Sequence, residues 1–315
     1  MKRATLLVAL AGALAPATQA MAAPDAVQTI VSGTAHQALF SLAFDGSRGV
    51  AVGAAGEILQ SDDAGKHWAA APAPTPKALL GVAIKSSGAI AVGQQGAIVR
   101  RDTEGRWQPV EAPTQERLFG VALNDRGEAV AVGAFGTALK SDDGGLHWHT
   151  IAPQWAHYTE NGEDPHLYDV KLDDRGVITM CGEFGLILRS TDGGTNWQVL
   201  HKGDASLFAI DLLEDGRGYA VGQSGTALKT TDGGQSWTPI DVGTQAILLG
   251  VSAQPDGRVV MTAIRDLVES RDDGRSWQHI ESPEAVAYWN QGVSYVGGGP
   301  ALIVGQVGRI VELGN

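Results

Sequence analysis

Cysteine is all but missing. Cys181 is the only one in 315 residues, so no internal disulfide can staple the chain. Its neighbourhood, ITMCGEFG, reads as a buried strand, which makes Cys181 a small core hydrophobe rather than a reactive thiol. Basic charge is also scarce. Against 35 Asp and Glu stand 23 Lys and Arg, or 21 once Lys2 and Arg3 are set aside, for a net charge near −14. A surface this acidic repels phosphate backbones and argues against nucleic acid as a partner. No stretch is apolar over the roughly 20 residues that a membrane helix needs, and no long amphipathic helical pattern appears. Glycine, by contrast, numbers 42, which favours many short strands joined by tight turns.

The opening segment, MKRATLLVALAGALAPATQAMA, has the three parts of a secretory signal. Lys2 and Arg3 form its charged end, Leu6 to Leu14 its short apolar run, and Ala20-Met21-Ala22 a small-residue cleavage site. Residues 1–22 are therefore expected to be cleaved, leaving 23–315 as one exported, soluble, periplasmic or secreted domain. No cofactor or metal is expected, and a monomer is favoured.

One eight-residue pattern dominates the rest. SDDGGLHW at Ser141–Trp148 returns as SDDAGKHW, STDGGTNW, TTDGGQSW and SRDDGRSW, with a degraded copy, RRDTEGRW, at Arg100–Trp107. Its tryptophans, Trp68, Trp107, Trp148, Trp197, Trp237 and Trp277, are separated by 39, 41, 49, 40 and 40 residues. Around each box runs the same frame: a first strand such as LFGVAL, a second ending in AVG, a GxxG-like turn, a third such as TALKS, and a fourth after the tryptophan. Four short strands per repeat of about 40 residues is the signature of a propeller blade. The C-terminal GVSYVGGGPALIVGQVGRIVEL supplies three more strands and stops. VQTIVSG at Val27–Gly33 fits the missing fourth, with Val27 in the tryptophan's place. The expected architecture is thus an all-β, seven-bladed propeller with four antiparallel strands per blade, closed by the N-terminal strand.

The box reads as a turn. An EF-hand-like loop needs about twelve residues and a terminal bidentate Glu, which SDDGGLHW lacks. Adjacent Asp142 and Asp143 point apart on extended backbone, and six peripheral copies do not converge on one substrate. Asp63, Asp102, Asp143, Asp192, Asp232 and Asp272 instead occupy the one acidic position shared by all copies, where a carboxylate accepts from its own turn. The glycine two residues on allows a positive φ in every copy but the degraded one. Each tryptophan then buries its ring between sheets.

Functional candidates lie on both faces. The boxes share a face with the first hairpin turns, where Arg48, Arg126, Arg175, Arg217 and Arg258 recur and offer an arginine ring for an acidic partner. The opposite face carries the GxxG turns and the blade connections. There the 49-residue step inserts about nine extra residues in APQWAHYTENGEDPHLYDV, near 153–165. A long loop of mixed aromatic and charged chemistry on a rigid scaffold is where function concentrates. Its Trp155, His157, Tyr158, Glu160, Glu163, Asp164 and His166, with Phe135, Glu183 and Phe184 on adjacent turns, form the leading candidate site. Deleting Gln154 to Asp164 is expected to leave a folded protein that loses its partner. A metal or small-molecule site using His157 and His166 is a further reading.

The box S-x-D-x-G-x-x-W is the Asp-box of the BNR repeat, shared by sialidases and other propellers. With its signal, its seven blades and its repeated AVGxxGxIxxSxDGGxxW frame, the chain resembles the photosystem II stability and assembly factor family and its homologues in non-photosynthetic bacteria. That resemblance implies a non-catalytic scaffold that docks onto a membrane-protein complex, of the cell envelope or of a photosynthetic membrane, during its assembly. In photosynthetic members an arginine patch is associated with partner binding; no such patch matches here residue by residue. A sialidase-like glycoside hydrolase is the alternative, with Tyr158 or Tyr168 and Glu160 or Glu183 in catalytic roles. The FRIP-type segment of sialidases is absent, and seven repeats fit that family less well than six.

Overall fold

In the computed structural model, which describes residues 27–159 and 162–314, each repeat folds into one sheet. The proposed leader lies outside the described residues, as does Glu160. Seven four-stranded sheets form, and consecutive strands are neighbours in each. Blade 3 shows the plan, with strands Leu118–Leu123, Ala129–Gly133, Ala138–Ser141 and His149–Thr150. First strands of successive blades pack on one another, and that of the seventh packs on that of the first, so the ring is closed around an axis. The outermost strands are short, down to two residues at Ala69–Ala70 and Gln278–His279, which leaves little unpaired edge.

The seventh blade is completed from the other end of the chain. Val27–Val31 lies antiparallel to Ile310–Leu313, pairing Val27 with Leu313 and Gln28 with Glu312. The register puts Val27 where Trp148 sits in blade 3, since Gln28 and His149 pair with the corresponding Glu312 and Lys140. Val27 is buried against Val260, Leu267 and Ile280 of blade 6.

Second strands such as Ala129–Gly133, Ile178–Gly182 and Val259–Ala263 are buried along their whole length. Both faces of each sheet are covered by neighbouring blades, and so these segments read as continuous apolar runs rather than alternating ones. The core is accordingly a series of layers between blades. Trp148 packs with Ile90 and Ile98 of blade 2, and Trp237 with Cys181 and Ile187 of blade 4. Each ring contributes on the order of 2–3 kcal/mol by burial. Cys181 is fully buried. Burial, and next the nearby Asp169 carboxylate, push its thiol well above the ordinary range, where it carries no reactive thiolate.

Polar clips join successive first strands. Asp169 accepts from Ile210 N at 3.0 Å, Asp211 from Ala253 N at 2.9 Å, and Ser41 from Val82 N at 3.3 Å. Each satisfies a backbone donor on the free edge of the next blade's innermost strand.

The boxes are fasteners of the expected kind. Asp143 accepts from Leu146 N and His147 N, while Ser141 Oγ accepts from Gly145 N and donates to the same carboxylate. Asp63, Asp192, Asp232 and Asp272 repeat the scheme. Two consecutive residues of each intact box are left-handed, not one: Gly144 and Gly145 at φ 72° and 84°, with Ala64 and Asp273 tolerating the first of these positions elsewhere; the degraded box has Gly105 alone, at φ 83°. The degraded copy departs further. Arg101 pairs with Ala89 as Ser141 pairs with Ala129, so Arg101 takes the serine's place and this turn is one residue shorter. Asp102 still accepts from Glu104 N and Arg106 N, but Trp107 Nε1 finds no partner, whereas Trp148 Nε1 donates to Gly145 O at 3.1 Å.

Candidate docking site

Backbone bonds from box to first hairpin turn, such as Gly144 N to Gly127 O at 2.8 Å and Gly233 N to Gly216 O at 2.7 Å, hold these two loops on one face of each blade. The five turn arginines sit there beside acids of their own turns: Arg48 by Asp45, Arg126 by Glu128, Arg175 by Asp173, Arg217 by Asp215 and Arg258 by Asp256. They are thus pairs of opposite charge rather than an uncompensated ring. Arg217 also reaches Asp273 of blade 6, which accepts from Tyr219 and Lys229 as well. This knot between blades was not legible in the box motif, because Asp273 fills a position that is Gly or Ala in the other intact boxes.

On the opposite face, each blade has one bulge in its first strand. The register slips between Leu118 and Gly120, between Leu167 and Asp169, between Leu207 and Ala209, and at the same point in the other four blades. The extra residue in each is half-buried: Phe40, Leu80, Phe119, Tyr168, Phe208, Leu249 and Gln291. A bulge re-aims its side chain out of the alternating pattern. Six of the seven positions are apolar or aromatic, and they ring the axis. The second–third strand turns on this face each hold one left-handed non-glycine residue: Ala55, Gln95, Phe135, Phe184, Ser224, Arg265 and Val307.

The aromatics converge at blades 3 and 4. His166 lies edge-on to Phe135, with ring centroids 4.9 Å apart. Phe119 packs on Tyr168 at 5.4 Å and Tyr168 on Phe208 at 4.9 Å. Phe135 N donates to His166 Nδ1 at 3.0 Å, which leaves the other ring nitrogen as the donor of a neutral imidazole. Glu183 accepts from His166 N at 2.8 Å. Burial, and then the charge and hydrogen bond of Glu183, push the Tyr168 phenol up to about 12. Tyr168 therefore remains a neutral donor.

The inserted loop divides into a support and an exposed rim. Trp155 opens a single helical turn, Trp155–His157, and is only 6% exposed, in the core shared by blades 3 and 4. Its Nε1 donates to Gly136 O at 3.1 Å, and Gly136 N donates to Pro165 O at 2.8 Å, so the loop is laced to the turn that carries Phe135. Tyr158 packs on Trp155 and donates to Trp197 O at 3.2 Å. His157, Glu163 and Asp164 are exposed. Because Trp155 is core, removing Gln154 to Asp164 would unmake part of the fold, and the expectation that such a deletion is structurally silent is corrected. Of the predicted residues, Phe135, His166 and Glu183 meet, and Phe184 stands exposed on the next turn. Phe119 and Phe208 were missed; the signal was the second position of the repeated LF, LL and LY first-strand motif. Among the described residues, no group of three or more His, Cys, Asp and Glu is arranged to hold a metal ion.

The family model described as photosynthesis system II assembly factor YCF48 matches residues 99–204 and 152–254. Among solved structures, the chain is similar to YCF48 bound to a D1 peptide, at 15% identity, with a TM-score of 0.72 over 92% of this chain and 96% of that one. It is also similar to YCF48 from Cyanidioschyzon merolae, at 16% identity, TM-score 0.73, over 91% and 98%. Virginiamycin B lyase from Staphylococcus aureus is matched at 14% identity, TM-score 0.74, over 92% and 99%. At such identities the likeness is one of fold. No curated protein matches the chain in sequence.

Proposed function

The chain belongs to the photosystem II assembly factor YCF48 family, and from that premise we propose that it is an exported, non-catalytic propeller that docks onto a membrane-protein complex during assembly. The observation that carries this reading is the convergence of Phe119, Phe135, His166, Tyr168 and Glu183 at the one connection that breaks the repeat period. A rigid ring presenting one irregular, aromatic surface is suited to binding rather than to turnover. The YCF48 solved with a D1 peptide supports a polypeptide as the thing bound. A sialidase-like reading requires arginines gathered with the tyrosine and carboxylate. The five turn arginines instead stand on the face away from Tyr168 and Glu183, each beside an acid.

The test is capture of complexes from detergent-solubilised envelope membranes by tagged protein. The rim variant Glu163→Lys/Asp164→Lys is expected to abolish capture of what the wild type retains, while Arg175→Glu on the other face leaves it unchanged. The reverse pattern would move the docking site to the arginine face and refute this placement.

A further inference from the structure

The two faces differ in the chemistry they expose. Among the described residues, the exposed large hydrophobics are Phe135, Leu146, Phe184, Ile247, Ile264 and Val286. All but Leu146 lie in turns or connections of the GxxG face. Phe135 and Phe184 are 62% and 41% exposed, and both are left-handed, at φ 50° and 57°. A side chain in that conformation is strained by about 1–2 kcal/mol; all seven turns share it, but those of blades 1, 2 and 5 carry Ala55, Gln95 and Ser224 and those of blades 6 and 7 carry Arg265 and Val307, so only blades 3 and 4 put an aromatic ring there. Two adjacent blades therefore hold a large apolar ring out to solvent, on strained backbone, beside the aromatic floor of Phe119, Tyr168 and Phe208. Large apolar rings exposed side by side in this way point to a role in binding.

The charge around them is mainly negative. In the connections and turns that border these aromatics, Glu116, Glu163, Asp164, Glu183 and Asp204 outnumber Arg117 and Lys202. An anionic lipid surface is repelled by such a rim, and a cationic chain is attracted to it. Aromatic faces add to that preference, since Arg and Lys bind over them.

We propose that this face grips a cationic polypeptide segment whose Arg or Lys residues alternate with apolar or aromatic ones. Phe135 and Phe184 are the paired anchors, the bulge residues are the floor, and the carboxylate rim reads the positive charge. This rests on the docking role proposed above and names the chemistry of what is docked.

The test uses two fluorescein-labelled twelve-residue peptides with the same Trp and Leu positions, one carrying four Arg or Lys and the other four Glu. Anisotropy titrations are run with wild type, Phe135→Gly, Phe184→Gly and Gln95→Gly. Glycine relieves the left-handed strain, so these variants keep the fold, and thermal melts check this. The cationic peptide is expected to bind. Each Phe→Gly change should weaken it about tenfold, Gln95→Gly should leave it unchanged, and raising the salt to 0.5 M should weaken it. Equal binding of the two peptides, or no effect of either Phe→Gly change, overturns the proposal. So does binding to phosphatidylglycerol vesicles that depends on Phe135 and Phe184, which would make the face a lipid surface. If the peptides fail while Glu163→Lys/Asp164→Lys still abolishes membrane-complex capture, the cationic partner is refuted and the docking role stands. If both fail, the docking role falls too.

Discussion

Gly136→Ala tests whether the inserted loop is truly laced to the Phe135 turn. A Cβ at Gly136 would stand 2.0 Å from Trp155 Nε1 and 2.6 Å from Cδ1, on backbone at φ +65°. No methyl group fits there, so the indole must leave its seat. The left-handed backbone costs about 1–2 kcal/mol. The lost burial of the ring costs about 2–3 kcal/mol more, and the bond from Nε1 to Gly136 O about 1 kcal/mol. The expected loss is thus about 4–6 kcal/mol, a fall in Tm on the order of 10 °C for a chain of this size. Trp155→Ala alone should cost about 3–5 kcal/mol. With the indole already gone, Gly136→Ala should cost only the backbone part, about 1–2 kcal/mol. Urea unfolding of the wild type, the two single variants and the double variant would measure this coupling of about 3 kcal/mol between residues in contact. Equal costs of Gly136→Ala in both backgrounds would mean that Trp155 does not sit under the turn, and the account of the loop as a supported rim would fail.

Two further outcomes follow from the boxes. Trp148→Phe gives up the bond from Nε1 to Gly145 O, while Trp107→Phe removes an indole nitrogen with no partner; the first should be the more destabilising by about 1 kcal/mol in paired thermal melts, and equal losses would contradict the difference between the two turns. Hydrogen bonds from the His67 ring and backbone to Asp63, from Asn196 to Asp192 and from Ser276 to Asp272 hold these carboxyls at about 2. Their folded values lie below the unfolded value, so their contribution is complete above about pH 4 and is lost as pH falls through about 2. Denaturant midpoints should hold steady from pH 6 down to 4 and then drop. A flat midpoint between pH 4 and pH 2, or one that rises, would show that these bonds do not favour the charged form.

How much of this was legible depended on whether a feature repeats. The box position of Asp143, the role of Trp148, the burial of Cys181 and the closure through Val27 could all be read, because each residue serves the same local geometry in every blade and periodicity exposes it. Asp102 was read in its proper place, since it accepts from Arg106 N four residues on as Asp143 accepts from His147 N, but the turn before Trp107 is one residue short, and only strand register locates Arg101 in the serine's place, opposite Ala89. Trp155 read as a loop residue because its burial comes from Gly136, nineteen residues away in the preceding blade. The site was half legible. The broken period drew attention to His166 and its neighbours, and Phe135 stood on an adjacent turn. Phe119 and Phe208 looked like ordinary strand residues, and Tyr168 stood out only as a candidate for the sialidase-like alternative.

By itself the sequence determined the architecture: seven copies of a unit that cannot bury both faces of its sheet alone must stack, and a chain whose last copy lacks a strand that its first residues supply must close. Only the tertiary structure decided which side chains share a surface. Bulges bring Phe119, Tyr168 and Phe208 into contact across three blades, left-handed turns hold Phe135 and Phe184 out to solvent, and hydrogen bonds within their own turns place the arginines beside acids on the other face. These are relations between residues in different blades, set by register and by the sign of φ, which no spacing along the chain records.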